Sequence, residues 1–103
     1  MSRDIVYESS LELLRNLAKA LFKDEDVIVI LFGSRGRGDY LETSDVDVGI
    51  LAREEVSKSK ITLFREKIEN SNIPYKVDVV DLSQASKEFA NKALKEGLLI
   101  WKS

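Results

Sequence analysis

The chain has 103 residues, 44% of them apolar and 33% charged, with a formal net charge of −2. That length suits one domain with a single core, and the charge balance gives no general pull toward nucleic acid or an anionic membrane. With no cysteine and no histidine, disulfides, thiol nucleophiles, zinc fingers and imidazole acid–base chemistry are excluded. Carboxylates, hydroxyls, Lys, Arg and backbone amides are left to carry any chemistry.

The amino-terminal stretch "MSRDIVYESS" holds no apolar leader core. No run approaches the ~18 apolar residues of a membrane span, so the expectation is a soluble, cytoplasmic protein without membrane contact. "SSLELLRNLAKALFKD" (9–24) reads as an amphipathic helix, with Leu11, Leu14, Leu17, Ala18, Leu21 and Phe22 at helical spacing and Ser9–Glu12 as a capping box. "VIVILF" (27–32) is a continuous apolar, β-branched run and reads as a buried strand. The loop "GSRGRG" (33–38) follows. "SDVDVGIL" (44–51) then alternates, with Val46, Val48 and Ile50 on one face and Asp45 and Asp47 on the other.

A helix is predicted from Glu54 to about Asn70 on the stripe Ile61, Phe64, Ile68, ending at Asn72 and Pro74. "YKVDVVDL" (75–82) is a third strand, with Val77 and Val79 toward the core and Asp78 opposite. A last helix is predicted from near Ser83, carrying Phe89, Ala90, Ala93 and Leu94 and stopping at Gly97. "LLIW" is either a short strand or a docking segment. The fold expected is α/β (α+β): residues 1–103 as one domain, with a small mixed sheet of three to four strands packed against helices.

Asp45 and Asp47 share one strand face and repel unless a cation sits between them. If the third strand lies beside the second, Asp78 joins them. Three carboxylates are hard oxygen donors of the kind that take Mg²⁺ or Mn²⁺ together with substrate phosphates. Gly33, Gly36 and Gly38 let the backbone approach a phosphate closely, Ser34 adds a hydroxyl, and Arg35 and Arg37 are placed to neutralise phosphate charge. No Lys-Ser/Thr pair follows the glycines, so the loop is not of the Walker A kind.

Gly33-Ser34, an intervening loop and then Ser44-Asp45-Val46-Asp47 resemble the signature of the DNA polymerase β-like nucleotidyltransferases, above all the single-domain minimal nucleotidyltransferases. The resemblance covers nearly the whole chain. It implies a nucleotidyltransferase core in which Asp45 and Asp47 are the paired metal ligands and Asp78 the third carboxylate. It implies too that Gly33 and Ser34 hold the triphosphate of ATP, with Arg35 and Arg37 in the variable segment after them. Minimal members are commonly paired with a HEPN-domain toxin. The implied activity is transfer of AMP to a tyrosine of that partner, as an antitoxin. Neutralisation by occlusion, without turnover, is the alternative. The acidic balance argues against direct nucleic-acid binding.

Overall fold

The computed structural model describes residues 3–103; Met1 and Ser2, part of the stretch read for a leader, lie outside them. The elements run α1 (Arg3–Phe22), β1 (Val27–Phe32), α2 (Gly33–Arg37), β2 (Val46–Ala52), α3 (Lys58–Glu69), β3 (Val77–Asp81), a 3-10 turn (Leu82–Gln84), α4 (Lys87–Glu96) and β4 (Leu98–Lys102). The sheet order is β3-β2-β1-β4. β1 pairs antiparallel with both β2 and β4, while β2 pairs parallel with β3, so the sheet is mixed.

Side-chain alternation sends each strand's residues to two different covers. Val29 and Leu31 of β1 and Val46, Val48 and Ile50 of β2 face α1 and α3. There Leu14, Ala18 and Phe22 of α1 meet Ile61 and Phe64 of α3, with the Phe22 and Phe64 rings edge-on at 5.3 Å. Ile30 and Phe32 face the other way, onto Leu82 and Ala93. β1 is therefore buried on both faces, which is why its sequence is an unbroken apolar run rather than an alternating one. Asp47 and Asp78 fall on the second face, where the cover is thinner.

Four boundaries differ from the sequence expectation. α1 begins at Arg3, so Ser9 and Glu12 lie inside the helix and form no box at its start; the extra turn brings Tyr7 into contact with α2. The expected glycine loop coils into a short helix, closed by Gly38 at φ 89°, whose N–H donates to the Ser34 carbonyl. α3 starts at Lys58 rather than Glu54, because Val56 is drawn into the core from an extended segment. The final helix starts at Lys87, where the Ser86 hydroxyl accepts from the Phe89 N–H; Asp81 instead caps the 3-10 turn by accepting from the Ser83 N–H. The "LLIW" tail is an edge strand, β4. No helix among the described residues is long and apolar enough to cross a membrane.

Candidate active site

The site starts from register. In the parallel β2–β3 pair Asp47 stands opposite Asp78, and in the antiparallel pair with β1 it stands opposite Phe32. Asp47 thus occupies an interior strand, with a second carboxylate on one side and the end of β1 on the other. Gly33, the residue after Phe32, has φ 64°. A Cβ there would meet Asp47 Oδ2 at 2.5 Å. Glycine is needed twice over at this position, once for the left-handed backbone and once for the space beside the carboxylate.

Burial pushes the Asp47 carboxyl above its ordinary range, and the charges of Asp78 and then Asp45 push it further. Asp45, just ahead of β2, is exposed, with Oδ2 3.9 Å from Lys76 Nζ. The three carboxylates therefore share one face and end of the sheet, yet among the described residues no three acidic side chains close on a single point. These are the side chains that could hold a cation. A cleft of about 940 Å³ opens beside them, lined by Phe32, Asp47, Asp78, Tyr75, Arg65 and Phe89. A hollow of about 180 Å³ adjoins it across Phe32 and Phe89, reaching Gly33, Arg37 and Lys92.

The loop residues divide. Gly33 and Ser34 open α2, with Gly33 against the Asp47 carboxylate. Arg35 departs from its expected phosphate role: an open loop would leave it outside, but the helical turn carries it inward, to 3% exposure. Its Nη2 donates to the carbonyls of Glu42 and Ser44 at 3.2 and 3.1 Å. Its guanidinium lies 4.2–5.0 Å from the ring centres of Tyr40, Tyr7 and Tyr75. Arg37 stays at the surface and borders the hollow, but its guanidinium is paired with Asp39 and Glu96, each at 3.2 Å. Sequence reasoning passed over Phe89 and Lys92. Their i, i+3 spacing is visible in the sequence, but it places Phe89 on the apolar stripe of the helix, and only the packing of α4 shows it exposed on the cleft wall.

The family model for "Polymerase beta, Nucleotidyltransferase" matches residues 9–103. The chain belongs to this nucleotidyltransferase family. A Haemophilus influenzae protein named as a probable protein adenylyltransferase, MntA, is 31% identical over 64 residues, which are 62% of this chain and 56% of that one. A Methanocaldococcus jannaschii protein, named provisionally for the same activity, is 49% identical over 47 residues, 43% of this chain and 48% of its own. The chain spans about half the length of these relatives. Among solved structures, a toxin–antitoxin complex with AMP-PNP superposes with a TM-score of 0.63 at 25% identity, covering 86% of this chain and 73% of that one. A Shewanella oneidensis complex of a tri-AMPylated HEPN toxin with its MNT antitoxin gives 0.58 at 23%, covering 90% and 73%, a likeness of fold.

Proposed function

We propose that this nucleotidyltransferase moves AMP from ATP to a protein hydroxyl, a tyrosine of a HEPN-domain toxin, and so acts as its antitoxin. The observation that carries this reading is Asp47, set opposite Asp78 in the β2–β3 register and faced by a glycine that leaves room at its Oδ2, with its carboxyl raised by burial and then by the charges of Asp78 and Asp45. Like charges held this close call for a cation, and an all-oxygen donor set suits Mg²⁺ or Mn²⁺, which need only one or two carboxylates when phosphates complete the shell. Asp45, Asp47 and Asp78 would hold it. When bound, the ion supplies positive charge against the phosphoryl oxygens.

The chain's own groups do the rest. Gly33 and Ser34 seat the triphosphate so that the α-phosphorus lies beside the carboxylates, and Arg37 borders the same hollow. The acceptor oxygen bonds to that phosphorus, the bond to the β-bridging oxygen breaks, and pyrophosphate leaves. With no histidine in the chain, the hydroxyl proton passes to a carboxylate, and Asp78, on the cleft side of β3, is the one placed to take it. The names of the two relatives and the nucleotide-bound toxin–antitoxin neighbour support the nucleotide and the class of partner.

The test is incubation with ATP labelled at the α-phosphate, Mg²⁺ and a HEPN-domain protein, beside an Asp45→Asn/Asp47→Asn variant. Label on a tyrosine, absent with the variant, is the expected result. No aspartate-dependent label, with the variant still neutralising the toxin, would overturn it in favour of occlusion.

A further inference from the structure

We propose that Lys92 and Phe89, one turn apart on α4, complete the nucleotide site: Lys92 as the cation for the terminal phosphates and Phe89 as the platform for the base. This rests on the reading of the site as a nucleotide site and adds two residues to it.

The case for Lys92 starts from the two arginines of α2. Arg35 is buried against three tyrosine rings and two carbonyls, and Arg37 is held between Asp39 and Glu96. Lys92 lines the same hollow as Gly33, and the carboxylate that shares the hollow, Glu96, is paired with Arg37. A triphosphate on the Gly33–Ser34 turn would need positive charge at this place, and an ammonium on a flexible stem meets that need as a point charge.

Phe89 is 45% exposed, a large aromatic side chain left outside the packed cluster beneath α4. Its ring stands edge-on to Phe32 at 5.7 Å and 85°. Phe32 is the register partner of Asp47 and precedes Gly33. Phe89 thus forms part of the wall of both the cleft and the hollow, an exposed aromatic ring of the kind on which a base stacks. α4 is fixed where it stands. A Cβ on Gly36 would lie 3.0 Å from the Glu96 carbonyl, and one on Gly97 would lie 3.0 Å from the Leu31 carbonyl, so the helix is seated directly on α2 and β1. A rigid support of this kind is what a binding side chain requires.

Calorimetric titration of the whole chain with Mg²⁺-ATP and, separately, Mg²⁺-tripolyphosphate separates the two roles. Lys92→Gln weakens both ligands roughly tenfold, and Lys92→Arg restores them. Phe89→Ala weakens ATP on the order of tenfold and leaves tripolyphosphate unchanged. Lys92→Gln keeps the wild-type melting temperature, while Phe89→Ala loses its edge-on pair with Phe32 and melts a few degrees lower, so the titrations are run well below both transitions. Wild-type affinity in Lys92→Gln, or equal loss of both ligands in Phe89→Ala, would overturn the inference. A wild-type chain that binds ATP but transfers nothing would sink the proposed function and leave this inference standing. One that binds neither ligand would sink both.

Discussion

Gly33 and Asp47 are packed so that a single methyl group on the glycine would stand 2.5 Å from the Asp47 Oδ2. The glycine also sits at φ 64°, where an L-residue is strained by about 1–2 kcal/mol. Gly33→Ala is therefore expected to lower stability by about that amount. The larger effect is on chemistry, because the carboxylate must turn aside, and displacement by an ångström is enough for a loss on the order of a hundredfold. AMP transfer measured beside a urea melt checks both. A variant as active as wild type would show that Asp47 does not need its observed position.

Asp47→Asn should stabilise the chain while abolishing transfer. Folding raises the carboxyl above its ordinary value of 3.8 through burial and the charges of Asp78 and Asp45. The fold thus favours the protonated form. The stabilisation it gives is full below the ordinary value and is lost as pH rises through the raised one. At neutral pH the charged Asp47 opposes folding, and asparagine relieves this. The side chain is only partly buried, so solvent screening holds the gain to no more than about 1 kcal/mol, a few degrees in Tm. The difference between variant and wild type closes as the pH approaches 4. Mg²⁺ raises the Tm of wild type more than that of the variant. An unchanged difference across pH would mean that the carboxylates are not coupled.

Arg35 holds together segments far apart in the chain: Tyr7 in α1, Tyr40 and the Glu42 and Ser44 carbonyls in the loop, and Tyr75 before β3. Removing it leaves two carbonyls without their donor and three rings around a gap. Arg35→Ala is expected to cost about 3 kcal/mol, read as a shift in the urea midpoint. Arg35→Lys recovers little of it, since an ammonium cannot present the planar fork that spans both carbonyls. Because Ser44 adjoins Asp45, transfer should fall in both variants. A surface-like response to Arg35→Ala would contradict the burial seen here.

Periodicity and local chemistry carried most of this fold. The unbroken apolar run of β1 and the alternation in β2 were legible because a strand's side-chain period is fixed by its pleat. The three aspartates were legible for the same reason, since placing Asp78 beside Asp47 required only that β3 lie next to β2. The arginines were not. Whether Arg35 reaches solvent depends on how α2 coils after Gly33, and on Tyr7, Tyr40 and Tyr75 meeting around it from separate segments. No local pattern encodes that meeting. The exposure of Phe89 was hidden likewise, because helical spacing says which residues share a face and not what covers that face. The starts of α1 and α3 moved for tertiary reasons too, through the contacts of Tyr7 and Val56.

Two glycines packed beneath the elements that wall the site should respond differently to one added methyl group. At Gly49, in β2, a Cβ would meet Leu82 Cδ1 at 2.6 Å and Phe32 Cδ1 at 3.3 Å, both side-chain atoms. At Gly36 it would meet the backbone carbonyls of Leu31 at 2.8 Å and Glu96 at 3.0 Å. Side chains can turn and carbonyls fixed in a strand and a helix cannot, so overpacking at Gly49 costs about 1–2 kcal/mol and at Gly36 about 3 kcal/mol. The functional consequences differ as well. Gly49→Ala displaces Phe32, and with it Phe89, so the KM for ATP rises more than kcat falls. Gly36→Ala lifts α4 from α2, which separates the Gly33 turn from Lys92 and lowers both nucleotide affinity and kcat. Urea melts and transfer kinetics on the two variants check this order, and a Gly49→Ala chain less stable than Gly36→Ala would reverse it.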